Sequence, residues 1–405
     1  MLSDHALSTS GVGTQSRHLI EGMIKKGRWS FRQFGAAMKH VDYRTIAINE
    51  DFIIKPIDGF GNPEMLRVAL ATEKPDALFL FTDPRFFLWL FEMEDEVRQM
   101  CPIVWWHVWD NYPIPKFNYP LYEATDLINC HSHLTYQMCA TDFPEKSNFV
   151  PHSLPNDIFY QMDKNDIMTE KVKILGWDKR DNFVLFWMNR NARRKRPSDL
   201  LLAWSKFVKM IGKKDVTLLM HTDPRDQEGP NLLVVAEELG IIDTVVFSNQ
   251  RVNFDEVNLL HNISDCCINI SYAEGFGLAT LEAMQTGTPI IASKTGGLTR
   301  QVVDHRDGTE NGTALDIKHK TLVGSQSVPY IYEDYCDVDD IANAIFKIYN
   351  MDDGERYYLG QKAKSYVDAE FNYQTTVDLW DQTLSNTIEN FRNNKNKPNF
   401  RLKTI

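Results

Sequence analysis

The chain has 405 residues, of which 43% are hydrophobic and 12% aromatic, a composition typical of a folded protein with two or three domains. The formal net charge of −11 argues against a general nucleic-acid-binding protein. The sequence contains no apolar run of the roughly 18 residues that a membrane span needs and no signal-peptide pattern, and its six cysteines lack zinc-site spacing. We therefore expect a cytoplasmic protein whose cysteines are buried free thiols.

The first predicted element is a very short strand. Only Met1 and Leu2 precede the polar run SDHALSTSGVG, so this strand is either short or truncated by the start site. A helix is predicted from Thr14 to Met23, with Gly11 and Gly13 in the turn before it. Glycines in such a turn let backbone amides approach a phosphate at the helix N-terminus, although many similar turns have no function.

Positive charge is concentrated in residues 14–40 and again in residues 389–405. The first segment includes Lys25 and Lys26 and also contains Trp29, Phe31 and Phe34. Such a segment can dock an anionic acceptor or touch a membrane surface, which would make the protein peripheral to a membrane. The alternative is a solvated helix whose aromatic residues face the core.

Alternating strands and helices predict two parallel sheets, each covered on both faces. Uninterrupted apolar runs of this length are typical of strands that are buried on both sides. A helix is predicted from Phe86 to Met100. The predicted strands are Ala77–Thr82, Ile103–Val108, Asp126–Cys130, Phe183–Met188, Thr217–His221, Thr244–Phe247, Cys266–Ile270 and Pro289–Ala292.

Domain boundaries are suggested by composition. The proline-bearing segment FVPHSLPND, from Phe149 to Asp157, predicts a hinge. We predict an N-terminal domain over residues 1–155 and a second domain over residues 156–370. Residues 371–405 are predicted to form a C-terminal helix and a basic tail.

The stretch SYAEGFGLATLEAMQTG contains two acids around the predicted start of a helix. The helix is expected from about Gly277 to Thr286, so that Glu274 precedes it and Glu282 lies within it. The positive end of the helix dipole favours an anion such as a diphosphate. Without a ligand, Glu274 would be a capping acid and Glu282 a solvated helix residue. The backbone amides at this helix mouth belong to Gly275, Phe276, Gly277 and Leu278.

These residues resemble the GT4 glycosyltransferases of the GT-B fold, whose E-x7-E motif reads here Glu274-GFGLATL-Glu282, followed by AMQTGTPIIAS and then TGG. The segment FWMNRNARRKRPSDLLLAW resembles the phosphate clamp of that family, with Arg190 and Lys195 at the matching spacing. The turn at Gly11 and Gly13 also matches, whereas residues 35–137 match least. The resemblance implies an α/β protein with two Rossmann-like parallel-sheet domains facing a central cleft. It also implies a C-terminal helix that returns to the first domain.

The function implied by the resemblance is retaining transfer of a sugar from a UDP-sugar or GDP-sugar to an unidentified acceptor, such as a glycan or a lipid-linked glycan. Arg190, Lys195 and the helix-mouth amides would stabilise the negative charge that develops on the leaving diphosphate. The resemblance places Glu274 near the donor sugar and Glu282 at the ribose hydroxyls. The leaving phosphate would itself take the acceptor proton. The backbone around Arg251 and Val252 corresponds to the part that contacts the base, without distinguishing uracil from guanine.

Histidines follow two of the predicted strands in the first half. His107, in PIVWWHVWD, is similar in position to a family histidine at the donor sugar, and a satisfied histidine in an aromatic cluster is the alternative. Asp110 would orient His107 or bind the acceptor. Lys25 and Lys26 are also predicted to bind the acceptor. His131 and His133 are expected to be structural rather than metal ligands.

No metal or other cofactor is expected. The sequence Asp337-Val338-Asp339 has the DxD pattern of some metal-dependent enzymes, but it precedes the amphipathic run IANAIFKIY and is better explained as a helix cap. Two other functions are retained as alternatives. In the first alternative the chain is a non-catalytic sugar-nucleotide-binding protein. In the second it is a glycosyltransferase that modifies a DNA base and docks on DNA through its basic segments.

Overall fold

The computed structural model describes residues 1–212 and 215–394 and divides the chain into two compact units. The first unit contains residues 1–109, residues 114–152 and the final helix from residue 374, and the second contains residues 110–113 and 153–373. The predicted boundary at residue 155 compares with an observed boundary after residue 152. The basic residues Lys395, Lys397, Arg401 and Lys403 of the predicted tail lie outside the described residues.

The first unit is built on an eight-stranded sheet with the order β3-β4-β2-β1-β5-β6-β7-β8. Its pairs are parallel apart from the edge pair β3–β4, which is antiparallel. The short first strand is confirmed, and it lies between β2 and β5. The strands are β1 Leu2–Asp4, β2 Phe31–Ala36, β3 Ile46–Ala47, β4 Phe52–Pro56, β5 Leu78–Phe81, β6 Ile103–His107, β7 Leu127–Cys130 and β8 Ser147–Phe149.

The second unit has a six-stranded parallel sheet with the order β11-β10-β9-β12-β13-β14, together with an antiparallel hairpin, β15–β16. The strands predicted in this half are confirmed to within a residue or so at each end. They are β9 Phe183–Met188, β10 Val216–His221, β11 Val245–Ser248, β12 Cys266–Asn269, β13 Ile290–Ser293 and β14 Thr313–Leu315, with β15 His319–Val323 and β16 Ile331–Tyr335 in the hairpin.

The helices connect the strands in both units, and none that the structure describes is long and apolar enough to cross a membrane. They are α1 Gly11–Ile24, α2 Pro63–Glu73, α3 Leu88–Phe91, α4 Glu94–Arg98, α5 Tyr119–Ala124, α6 His133–Asp142, α7 Lys164–Leu175, α8 Pro197–Ile211, α9 Leu232–Glu238, α10 Phe254–Asn262, α11 Leu278–Gln285, α12 Leu298–Val302, α13 Val338–Tyr349, α14 Asp353–Glu370 and α15 Tyr373–Asn394.

The prediction of one helix from Phe86 to Met100 is wrong. A 3-10 turn, Pro84–Phe87, is followed by the two short helices α3 and α4. The backbone leaves helical geometry at Met93, with φ −112° and ψ 21°. Phe91 and Met93 are both buried, and residues two apart cannot share one face of a helix. The break coincides with burial of these two side chains.

Large side chains fill the core of each sheet. Leu80 and Trp105 are fully buried in the first unit, and Trp187, Trp204 and Leu218 are fully buried in the second. All six cysteines are buried and free, as predicted. Continuous burial on both faces explains why the sequence pattern of uninterrupted apolar runs found these strands.

Candidate active site

The loop between β12 and α11 carries Glu274 and then turns into the helix at Gly277. Gly277 has φ +93°, and a Cβ there would lie 2.3 Å from Cδ2 of Leu298, so both the backbone conformation and the packing require glycine. The helix begins at Leu278, one residue after the predicted start. Its first amides have no partner within the helix and lie at the carboxyl edge of the sheet, where open α/β sheets bind ligands.

A second glycine turn, at Gly296 and Gly297, packs against this loop. Gly297 N donates to Glu274 O at 2.9 Å. Gly296 has φ +48°, and a Cβ at that position would lie 2.0 Å from Glu274 O and 2.5 Å from Asp110 O. Three backbone segments therefore meet at Gly296, and the close approach of their carbonyls fixes the position of Glu274.

The Glu274 carboxylate is buried among donors. Lys195 Nζ donates to Oε2, and the Ser271 hydroxyl donates to the same oxygen at 3.1 Å. Asn269 Nδ2 lies 3.4 Å from Oε2, and the Arg194 guanidinium lies 3.8 Å from Oε1. Two cations and two neutral donors thus surround the carboxylate, and this arrangement stabilises its ionised form.

The electrostatic balance at Glu274 follows from these contacts. Burial by itself would raise the pKa of the carboxyl, but the charges of Lys195 and Arg194 and the donated hydrogen bonds hold its pKa at about 2. Burial also lowers the pKa of Lys195, an effect reinforced by the neighbouring charge of Arg194. Glu274 is therefore a carboxylate throughout the neutral pH range.

The run RRKR, which the sequence analysis treated only in part as a phosphate clamp, distributes its four cations among separate acids. The run forms a 3-10 turn, and its last residue has a left-handed φ of 56°. Two of the cations are partly exposed and two are almost entirely buried. The pairs are Arg193–Glu333, Arg194–Asp110, Lys195–Glu274 and Arg196–Asp199.

Arg194 is a site residue that the sequence analysis did not single out. Its guanidinium donates to Ala273 O at 2.7 Å and lies 3.5 Å from Asp110 Oδ2, while its carbonyl accepts from Tyr272 N at 2.9 Å. The charge of Asp110 raises the pKa of Arg194. A run of consecutive cations gives no signal of which one points at the loop, because that depends on the 3-10 turn.

Arg190, predicted to share the phosphate clamp with Lys195, has different partners. Its guanidinium binds Asp226 Oδ2 at 2.8 Å and Glu228 Oε2 at 3.1 Å and is largely exposed. Its predicted role at the phosphates stays a prediction, and so does the base-contacting role of Arg251 and Val252. Both of those residues lie in the loop that precedes α10.

Glu282 lies in α11 and is buried rather than solvated, so the alternative of a solvated helix residue is wrong. His261 Nε2 donates to Glu282 Oε2 at 3.1 Å. His261 is fully buried in α10, where it packs edge-on against Phe186. The histidine thereby fixes one carboxylate oxygen and the orientation of the other.

His107 ends β6 in the first unit and has no exposed surface. Tyr122 Oη lies 2.8 Å from its Nε2, and the Trp105 ring lies 4.2 Å away between centroids. Its carbonyl accepts from His131 Nδ1 at 2.9 Å. This is the aromatic-cluster alternative of the sequence analysis, and full burial does not support contact of His107 with a donor sugar.

The turn at Gly11 and Gly13 also differs from the expectation. The prediction that both glycines precede the helix is wrong, because Ser10 caps α1 and Gly11 is its first residue. Gly13 N donates to Ser10 Oγ at 3.0 Å. A Cβ at Gly13 would lie 2.2 Å from Ser8 Oγ, so the glycine is required by packing. The proposed approach of a phosphate to these amides stays a prediction.

The basic segment 14–40 is split between a helix and a buried strand. Phe31 and Phe34 lie in β2 and are buried, as in the alternative in which the aromatic residues face the core. Lys25 and Lys26 follow α1, at the amino edge of the sheet. Lys26 pairs with Asp378 of α15. Because ligands bind at the carboxyl edge of such sheets, this position does not support the predicted acceptor role of the two lysines.

The predicted cap at the DxD sequence is confirmed, since Asp337 directly precedes α13 and accepts from Asp339 N at 2.7 Å. Asp110 is half-exposed beside Arg194. The part of the chain that the structure describes contains no group of three or more His, Cys, Asp or Glu side chains arranged to hold a metal ion. Metal independence of the activity stays a prediction.

Comparison with known proteins relates the segment that contains this site to a protein family. Residues 168–366 match the family model described as Glycosyl transferases group 1. The matched segment, just under half of the chain, belongs to that family. The match includes Arg190, Lys195, Glu274 and Glu282, and it confirms the resemblance to the GT4 glycosyltransferases.

One curated relative of this chain is the D-inositol 3-phosphate glycosyltransferase of Corynebacterium jeikeium, which is 29% identical over 198 residues. The alignment covers 48% of the present chain and 41% of that protein, so the match spans less than half the length of the relative.

Solved structures show that the chain has the GT-B fold. Sucrose-phosphate synthase from Thermosynechococcus elongatus superposes with a TM-score of 0.70 at 18% identity, covering 95% of this chain and 93% of that one. HepE of Anabaena, solved in complex with UDP-glucose, superposes with a TM-score of 0.69 at 17% identity, covering 94% and 97%. The fold expectation is confirmed.

Proposed function

We propose that the chain is a retaining glycosyltransferase that transfers a sugar from a nucleoside-diphosphate sugar to an acceptor hydroxyl. The observation that carries the proposal is the buried Glu274 carboxylate, held between Lys195 and Arg194 just before the N-terminus of α11. The family match includes this loop, and HepE, a structural neighbour, was solved with UDP-glucose. We propose UDP-glucose as the first donor to test.

The cations and the helix have a specific task in this reaction. The bond between the anomeric carbon and the diphosphate oxygen breaks, the acceptor oxygen bonds to the same carbon, and the acceptor proton passes to the leaving phosphate. Negative charge grows on the diphosphate as the bond breaks. Lys195 and the first amides of α11 interact more strongly with this developing charge in the transition state than with the bound donor in the ground state. That difference is the condition for faster turnover.

Glu274 has a role set by its ionisation. With a pKa of about 2 it cannot donate a proton to a leaving group at neutral pH. Its carboxylate instead accepts hydrogen bonds from hydroxyl groups of the donor sugar and stabilises positive charge at the anomeric carbon. Glu282, with one oxygen fixed by His261, binds the ribose hydroxyls through the other. The positive charge for the diphosphate comes from protein side chains, so the reaction needs no metal.

The donor is identified by thermal shift of the full chain with UDP-glucose, UDP-N-acetylglucosamine and GDP-mannose. A nucleotide at a hundredfold excess over its Kd raises the free energy of unfolding by about 2.7 kcal/mol. For a unit of this size that corresponds to a rise of about 5 to 10 °C in melting temperature. Failure of every nucleotide sugar to raise the melting temperature contradicts the proposal. Turnover that is lost in a chelator and restored by Mg²⁺ or Mn²⁺ contradicts metal independence.

Catalysis is tested by release of UDP from the donor that binds. Glu274→Gln keeps the shape of the side chain but removes its charge, and we expect turnover to fall by about a hundredfold, as for loss of one preorganised electrostatic contact. Lys206→Met is the control for loss of a surface charge, because Lys206 is exposed and, among the described residues, is paired with Asp339 on the surface. Equal turnover in Glu274→Gln and the control contradicts the proposal. Donor binding without turnover in the wild type, with every acceptor supplied, favours a non-catalytic binding protein.

A further inference from the structure

The hairpin β15–β16 is bonded to two of the loops that build the candidate active site. Its second strand, β16, pairs with β15 on one side, and amides on its other side donate to these loops. Tyr332 N donates to Tyr112 O, in the loop after β6, at 2.8 Å. Asp334 N donates to Tyr272 O, in the loop after β12, at 2.8 Å. Because the outer amides of an edge strand need partners, these bonds hold the hairpin against both loops.

The carboxylate of Asp334 forms a bridge between two buried side chains. Its Oδ2 accepts from Asn111 Nδ2 at 2.7 Å and from the Thr295 hydroxyl at 2.7 Å. Asp334 is 2% exposed, and both donors are 1% exposed. Asn111 Nδ2 also donates to Tyr332 O at 3.1 Å, which is a second bond to the same strand of the hairpin. One carboxylate oxygen therefore joins two segments that are far apart in the sequence.

Each of the two bridged residues is next to a contact of the active-site loop. Asn111 follows Asp110, whose carboxylate lies 3.5 Å from the Arg194 guanidinium. Thr295 directly precedes the glycine turn that donates a backbone hydrogen bond to Glu274 O at 2.9 Å. A shift of either bridged residue therefore displaces the partner of Arg194 or the support of Glu274. Displacement of a reacting group by about 1 Å can lower turnover by about a hundredfold.

A carboxylate at position 334 is unfavourable for stability taken alone. Oδ1 of Asp334 is buried, and it accepts no hydrogen bond from the residues that the structure describes. Lys320 Nζ lies 3.8 Å from this oxygen, at the end of an exposed side chain. Burial of a charge that is only partly hydrogen-bonded lowers the free energy of unfolding. Residues of this kind are expected where a functional arrangement depends on them.

We propose that Asp334 is a positioning residue for the sugar transfer, an inference that rests on the proposed function. It acts through Asn111 and Thr295 and does not touch the substrates. The bridge keeps Arg194 and Glu274 at the spacing at which they meet the donor sugar. Because this role depends on accepting hydrogen bonds and not on charge, the amide oxygen of an asparagine in place of Oδ2 can perform it.

The test compares Asp334→Ala with Asp334→Asn by release of UDP from the donor that binds. Asp334→Ala removes both accepted hydrogen bonds, and we expect kcat to fall by about tenfold to a hundredfold. The Kd of UDP, which lacks the sugar that Glu274 binds, should change by less than about threefold. Asp334→Asn should keep kcat within about threefold of the wild type. Asp368→Ala is the matched control, because it makes the same change at an exposed residue of α14 that pairs with Lys364.

The pattern of these measurements separates positioning from other roles. Equal kcat in Asp334→Ala and the control overturns the inference, since the bridge then has no effect on the reaction. Equal losses of kcat in Asp334→Asn and Asp334→Ala also overturn it, because the charge would then act directly. Weaker binding of UDP in proportion to the loss of kcat overturns it as well, because that result indicates a general distortion of the second unit.

Two milder variants test the bridge if Asp334→Ala does not fold. Thr295→Val and Asn111→Ala each remove one of the donors to Asp334, and we expect each to lower kcat by about tenfold with the Kd of UDP unchanged. Unchanged kcat in both variants, in a wild type that releases UDP, refutes the positioning role only. A wild type that releases no UDP from any donor refutes the proposed function and this inference with it.

Discussion

Substitution of Gly296 by alanine is the sharpest test of how the active-site loop is positioned. The new Cβ would lie 2.0 Å from Glu274 O and 2.5 Å from Asp110 O. Both neighbours are backbone atoms, so no rotation of a side chain can relieve the overlap. The two segments must move apart, and the Glu274 carboxylate moves with one of them. We therefore expect loss of donor binding as well as loss of stability.

The magnitude has two parts. Alanine at φ +48° costs about 1 to 2 kcal/mol in backbone strain, and the overlap adds about 1 to 3 kcal/mol. Gly308→Ala isolates the first part, because Gly308 has φ +76° and its added Cβ would meet nothing within 4 Å. We expect Gly296→Ala to be less stable than Gly308→Ala by about 2 kcal/mol, or about 4 to 8 °C in melting temperature.

The assay is thermal denaturation followed by circular dichroism, with and without UDP-glucose. Gly308→Ala should keep the ligand-induced shift, and Gly296→Ala should lose most of it. If the two variants melt together and both keep the shift, the close approach at Gly296 does not position Glu274, and the reasoning is refuted.

Three further predictions concern Glu274, Asp337 and the basic segment. The pKa of Glu274 is held below that of an unfolded glutamate, so its stabilisation is complete above about pH 5 and is lost as pH falls through about 2. Urea unfolding should show Glu274→Gln destabilised by about 3 kcal/mol at pH 7 and by about 1 kcal/mol less at pH 3.5, and a difference independent of pH would contradict this. Asp337→Ala should lower stability by about 1 kcal/mol through loss of the α13 cap while UDP release is unchanged; a loss of turnover would indicate a role beyond capping. Lys26→Ala combined with Arg28→Ala should lower the melting temperature slightly, because both cations pair with α15, and should leave sedimentation with anionic vesicles unchanged; weaker sedimentation would establish the membrane contact.

Much of the second unit was predictable from the sequence. Strands such as Phe183–Met188 are buried on both faces, so an uninterrupted apolar run marks them. Gly277 marks the start of α11 because its backbone, with φ +93°, lies in a region that favours glycine. The strand β2, by contrast, was hidden inside a basic and aromatic segment, since its residues alternate in character only in part and Arg32 lies within it.

Other features depended on the tertiary structure. The sequence by itself determined that two acids flank a glycine turn at a helix start, that consecutive cations precede α8 and that the chain folds into parallel sheets. Only the three-dimensional packing decided that Arg194 and Lys195 share Glu274 and that His107 belongs to a buried aromatic cluster. Local patterns determine elements because backbone preferences act within a few residues. The partner of a charge is chosen by segments far apart in sequence, and it is known only when the chain has folded.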